Sequence, residues 1–97
     1  MARLLPMVSW IRKRDLHILT VGILTYTSDQ RFQVIRPEKS SNWTLQIKFP
    51  QIRDSGIYEC QVNTEPKISL PFRLNVIGEG ASTLIEKDIG KSLPKPL

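Results

Sequence analysis

Hydrophobic and polar residues alternate along most of this chain in short runs separated by turn formers. Met7 to Lys13 sets Val8 and Trp10 on one side and Ser9, Ile11 and Lys13 on the other. That is the period of two expected of a half-buried strand. His17 to Val21 and Ile23 to Thr27 flank Gly22. Arg31 to Arg36 and Asn42 to Phe49 flank Pro37-Glu-Lys-Ser-Ser41. Gly56 to Asn63 and Ser69 to Ile77 flank Thr64-Glu-Pro-Lys67. Closely spaced strands of this kind predict an all-β antiparallel sandwich. Parity sends Leu45 and Ile47 inward to meet Trp10, Tyr58, Cys60, Val62, Phe72, Leu74 and Val76, with Ile52 expected to plug one end. From Gly78 the alternation stops, and residues 78–97 read as a linker-like or disordered tail. Thr83 and Glu86 have the spacing of a capping box, for at most a short, marginal helix ending at Gly90.

The stretch Asp54-Ser-Gly-Ile-Tyr-Glu-Cys60 narrows the fold. Its aspartate and glycine shape a turn into a strand. Its tyrosine, two residues before the cysteine, is spaced for a tyrosine corner, and its cysteine points into the core, as in immunoglobulin-like sandwiches. Trp10 then belongs to strand C, and the runs that follow become C′, C″, D, E, F and G. Strands C′ and C″ mark the variable type. On this reading the sandwich is incomplete: strands C to G are present and A and B are missing, with 1–7 a non-homologous segment and 8–77 a partial immunoglobulin-like domain. Cys60 is the single cysteine, half of an inter-sheet disulfide without its partner. Strands D and E are expected to form a bare hairpin with one open edge, marginal by itself and a template for association. The isolated chain is accordingly expected to be unstable or aggregation-prone. Arg31 and Asp54 are placed for an ion pair closing one end, worth ~0.5–1 kcal/mol if partly exposed.

Composition removes several function classes. The net charge is +5 over 97 residues, but the basic residues are scattered. The one tight run, Arg12-Lys13-Arg14, lacks interleaved aromatics for base stacking, so no nucleic-acid partner is expected. No apolar run approaches the ~20 residues that span a bilayer, and Met1 to Val8 is too short and too poorly apolar for a secretory signal. His17 and Cys60, the only histidine and the only cysteine, fall on an outer strand and in the core, so they make no nucleophile pair. Metal-ligand spacings and phosphate-cradling glycine loops are lacking. The chain reads as a non-enzyme that needs no cofactor.

Four segments resemble the first immunoglobulin domain of the Dpr (defective proboscis extension response) family: Val8 to Gly22, Thr25 to Phe32, Trp43 to Lys48 and Arg53 to Gln61. Thr27-Ser-Asp-Gln-Arg-Phe32 and His17-Ile-Leu-Thr-Val-Gly22 carry the specificity. The resemblance implies an insect neuronal receptor that recognises partners at the cell surface in synaptic matching and chemosensory circuits. The intact family member would be a two-domain protein tethered to the membrane. It pairs through the exposed C-C′-C″-F-G face with Dpr-interacting immunoglobulin receptors, or with like molecules. In this chain the partner-binding residues are expected to be Ile11, Leu19 and Val21 as an apolar centre, with His17 and Gln61 toward a polar rim. The outward register of C′ stays open between His17, Leu19, Val21 and Leu16, Ile18, Thr20. Asn42-Trp-Thr44 matches a glycosylation acceptor. A non-secreted regulatory or non-functional fragment is the alternative reading.

Overall fold

The computed structural model describes residues 7–37, 41–78 and 83–88. Among them the chain runs through β1 (Val8–Arg12), β2 (His17–Val21), β3 (Leu24–Thr25), β4 (Phe32–Ile35), β5 (Asn42–Ile47), a 3-10 turn (Ile52–Asp54), β6 (Gly56–Val62), β7 (Ile68–Leu74) and β8 (Thr83–Asp88). One sheet has the order β3-β2-β1-β6-β7 and the other β4-β5-β8, with every pairing antiparallel. The first is the C″-C′-C-F-G order of a variable-type sandwich. β2 keeps the bounds that alternation suggests, and β1, β3 and β4 lose one or two residues at each end. β5 and β6 lose them at the far end alone, and β7 starts one residue earlier and stops three earlier.

Two glycines are required by the path of the backbone. Gly22 turns β2 into β3 at φ +59°, and Gly56 enters β6 at φ +139°, both in the region that a side chain disfavours. The inner faces meet in one core. Val8, Trp10, Leu19, Tyr58, Cys60, Val62 and Leu74 come from the five-stranded sheet, and Phe32, Trp43, Leu45, Ile47 and Ile85 from the other. Phe72 and Val76 pack against that core while only partly buried. The Tyr58 hydroxyl donates to the Asp54 carbonyl at 2.7 Å, the tyrosine corner that the Asp54–Cys60 spacing suggests.

Three expectations are corrected. Ile52 does not plug the sandwich: the 3-10 turn rotates it outward and leaves it 64% exposed. Residues 83–88 are neither helix nor structureless tail but strand β8, and its partner is β5. The register runs from Asn42↔Asp88 to Ile47↔Thr83, so strands D and E are not a bare hairpin. The cause is the backbone of β5, whose edge N–H and C=O groups need partners once the strand is half buried. An extended segment with one well-placed isoleucine supplies them. Ile85 is fully buried beside Leu45, worth ~1.5–3 kcal/mol of apolar burial. In a sandwich whose back sheet is ordered A-B-E-D, β8 occupies the position of strand B. The third correction, Leu19, concerns the outer face. Expectations for residues 1–6, 38–40, 79–82 and 89–97 lie outside the described residues.

Candidate interaction face

The outer face of the five-stranded sheet is built in cross-strand rows. One row runs Val21, Ser9, Gln61, Ser69, and the next runs Ile18, Ile11, Glu59, Pro71. Simple alternation along β2 fails because the β1–β2 register shifts between Trp10 and Ile11: Trp10 faces Thr20, whereas Ile11 faces Ile18. Leu19 is the extra residue of this β-bulge, and a bulge turns neighbouring side chains toward one side. Leu19 and Thr20 are both fully buried, and Ile18 is 40% exposed. Leu19 is therefore core and not an outward anchor. The outward set mixes the two registers, taking Ile18 from one and Val21 from the other. Thr20 is tolerated inside because its Oγ1 accepts the Trp10 backbone N–H at 3.2 Å.

Leu16, part of the second register, belongs to the β1–β2 turn. It stands exposed at φ +53°. Asp15 in that turn accepts two hydrogen bonds from the Arg12 guanidinium, at 2.9 and 3.1 Å. They pull its carboxyl down to about 2. His17 Nε2 lies 2.8 Å from Thr27 Oγ1, which ties β2 to the segment after β3. Ile11, His17, Val21 and Gln61 are all partly buried.

Glu59 lies between Ile11 and Pro71 in the second row. The Gln61 side-chain amide donates to its Oε1 at 2.6 Å, and Lys13 Nζ lies 3.6 Å from its Oε2. The Gln61 hydrogen bond, opposed by burial and helped by Lys13, holds the Glu59 carboxyl below its ordinary value. The face thus offers adjacent isoleucines beside an oriented carboxylate–amide pair. Nothing in this arrangement activates a nucleophile, and it suits a protein partner with a matching apolar patch and hydrogen-bond donors. Ile18 is reached by sequence reasoning only through one of the two registers of β2, and alternation does not single out Glu59. Pairing β1 with β2 brings Ile18 to Ile11, and pairing β1 with β6 brings Glu59 there, a signal that alternation along single strands does not contain.

No protein-family model matches the chain. Among solved structures, the chain is 74% identical to the IG1 domain of Dpr1, which was crystallised bound to DIP-eta IG1. That likeness covers 74% of this chain and 68% of the other, with a TM-score of 0.72. It is equally 74% identical, at a TM-score of 0.73, to Dpr2 Ig1-Ig2 in complex with DIP-Theta Ig1-Ig3, over 75% of this chain and 33% of that one. This chain belongs to the Dpr family. It matches the family's first immunoglobulin domain, a recognition module. The "Zwei Ig domain protein zig-8" of Caenorhabditis elegans is 40% identical over 71 residues, 72% of this chain and 26% of that protein. The chain therefore spans about a quarter of the length of that curated relative.

The remaining candidate residues of this Dpr domain lie off the outer face. Trp10, Tyr58 and Cys60 are fully buried, and burial pushes the Cys60 thiol up to about 12, which makes it an inert core residue. Arg31 and Asp54 pair at 2.7 and 3.1 Å. This pair is more buried than expected, because Asp54 is only 1% exposed. Burial alone would raise the Asp54 carboxyl. The Arg31 hydrogen bonds and the Gln51 backbone N–H at 2.7 Å outweigh it and hold the group below its ordinary value. Asn42 begins β5 and is half buried. Its Nδ2, the atom that a glycan would occupy, donates to Glu86 Oε1 at 3.2 Å.

Proposed function

We propose that the outer face of β3-β2-β1-β6-β7 binds a second immunoglobulin domain, making this chain a recognition module of the neuronal cell surface. The observation that carries this reading is the row Ile18–Ile11–Glu59, an apolar pair in the middle of an exposed sheet with an oriented carboxylate beside it. Such a centre, rimmed by Gln61, Ser9 and His17, has the anatomy of a protein interface. The partner class is the Dpr-interacting immunoglobulin receptors, in line with the DIP-bound crystal structures of Dpr1 and Dpr2 domains. Pairing with like molecules is a second outcome of the same face. It is favoured by the ZIG-8 IG1 homodimer, 34% identical to this chain, which covers 62% of that one, at a TM-score of 0.70. The role that follows is partner matching between neurons, including chemosensory circuits, by a parent protein tethered to the plasma membrane. Asn42 lies on the opposite sheet, so a glycan there would leave the face free.

The test is affinity for the first immunoglobulin domain of a DIP receptor, measured by surface plasmon resonance. Ile11→Asp and Ile18→Asp each place a charge at the apolar centre and are expected to weaken binding by at least ~30-fold, the scale of a central hot-spot loss. Ser69→Asp, at the end of a row, should change affinity by less than ~3-fold, as a rim position. Unchanged affinity in both isoleucine variants removes the face from the interaction.

A further inference from the structure

We infer that the cleft between two free sheet edges, those of β3 and β4, is a binding site for a neutral sugar unit at the end of a glycan. β3 ends the five-stranded sheet on one side and β4 ends the three-stranded sheet, so neither strand has a ladder partner on its outer edge. Between them lies a cleft of about 530 Å³, lined by Thr25, Thr27, Ser28, Gln30, Phe32 and Gln33. That volume falls within the ~300–1,000 Å³ of ordinary small-molecule sites. Five of the six lining residues are polar and none is charged, in a chain of which 24% is charged. An ionic ligand would find no counter-ion among them, and an apolar ligand would leave their polar groups unpaired. A neutral ligand rich in hydroxyls meets neither cost.

The hydrogen-bonding groups are both available and held in place. The side chains of Thr25, Ser28, Gln30 and Gln33 have no partner among the described residues. Their neighbours are tied back into the fold instead. Thr27 Oγ1 accepts the Asp29 backbone N–H at 3.2 Å and lies 2.8 Å from His17 Nε2. Asp29 Oδ1 accepts the Arg31 backbone N–H at 3.0 Å, and Asp29 Oδ2 accepts from the Arg31 guanidinium at 3.0 Å. These bonds fix residues 27–31 and leave the intervening Ser28 and Gln30 exposed. A glutamine amide carries one carbonyl acceptor and two N–H donors, which suits two adjacent hydroxyls that each donate and accept. Gln33 comes from β4 and Thr25 from β3, so a sugar ring between them is bonded from both sheets. Phe32, the one apolar lining residue, is 1% exposed and gives the bottom of the cleft a small apolar surface for the C–H face of the ring. The cleft shares no residue with the row Ile18–Ile11–Glu59, so the two sites are distinct.

The test titrates the isotopically labelled full chain with the methyl glycosides of mannose, galactose, glucose and N-acetylglucosamine and follows backbone amide chemical shifts. At least one of them is expected to bind saturably with a Kd on the order of 1 mM, the scale open to a ligand of about a dozen non-hydrogen atoms. The largest shifts should fall on residues 25–33. The methyl uronate of the tightest-binding sugar, the same ring with a carboxylate, should bind more weakly, because the lining offers its charge no partner. Thr25→Val with Gln33→Leu keeps both side-chain sizes and removes their hydrogen-bonding groups, and should weaken binding by at least ~10-fold. Ser28→Ala with Gln30→Ala, in the loop instead of the strands, should do the same, and the urea midpoint of each variant checks its fold. The proposal is overturned by the absence of saturable shifts with all four glycosides, or by shifts centred outside 25–33. A uronate that binds as tightly as its parent sugar overturns it too, as does a folded double variant that binds as the original chain does.

Discussion

The two sheets share one core but are held in it in different ways. In the five-stranded sheet, β1 and β6 each send several large side chains inward: Val8 and Trp10 from one, Tyr58, Cys60 and Val62 from the other. Register is overdetermined there, because a one-residue slip would expose all of them. In the three-stranded sheet, Ile85 is the single fully buried residue among those described in β8, which joins β5 across some forty residues of sequence, with Ile47 opposite Thr83. One sheet is specified by redundancy and the other by one side chain and a ladder. Substitutions should therefore be absorbed unequally. Ile85→Ala is expected to cost ~2–5 kcal/mol, the range for large-to-small changes in a packed core. Ile18→Ala, on the exposed face, should stay within ~0.5 kcal/mol. Urea unfolding followed by tryptophan fluorescence measures both, and equal losses would erase the distinction between the sheets.

The same contrast explains what the amino-acid order discloses. Strands β5, β6 and β7 are legible because each repeats an apolar residue at every second position for at least two periods, and β1 and β2 because short apolar runs end at turn formers. The tyrosine corner is legible because its spacing is rigid: Tyr58 reaches back to the Asp54 carbonyl within four residues. Strand β8 is hidden because Thr83-Leu-Ile-Glu-Lys-Asp88 carries no sustained alternation, and its Thr83–Glu86 spacing equally suits a helix start. It becomes a strand only because the edge of β5 supplies the missing half of a ladder. Leu19 is hidden for a different reason. Its side of the sheet depends on a bulge that exists only where β1 and β2 pair, so no count along β2 alone finds it. Ile52 follows a 3-10 turn rather than a strand, and strand parity has no bearing on it.

A second test compares the closed end of the sandwich with its edges. Arg31, just before β4, holds Asp54 and also bonds Asp29 at 3.0 Å, while its guanidinium lies 5.3 Å from the Phe32 ring centroid. Removing it leaves a carboxylate that is 1% exposed without its cation. Arg31→Ala is expected to destabilise by ~1.5–3 kcal/mol, the scale of a hydrogen bond to a charged group. The Arg12–Asp15 pair in the β1–β2 turn should yield less on Arg12→Ala, because the carboxylate left behind is 45% exposed and solvent screens it. Thermal unfolding of the two variants side by side distinguishes them, and similar losses would deny Arg31 its special position.

The smallest effect expected is in the pH dependence of stability, and its sign follows from the direction of the shifts. Asp54 is held below its ordinary value by Arg31 and Gln51 against the upward push of burial, Asp29 by Arg31, and Glu59 by Gln61. For each, the unfolded chain binds its proton at a higher pH than the folded chain does. Stability therefore rises with pH through that window. The contribution is fully present above the unfolded carboxyl values of ~4 and is lost as pH falls through the lower folded ones. Asp54→Asn should flatten the acid limb of the stability curve more than Glu59→Gln does, because Asp54 is buried at the closed end and Glu59 lies on the outer face. A reversed order, measured by urea midpoints between pH 2 and 7, would mean that the outer face carries more of the acid sensitivity than the ion pair beneath the tyrosine corner.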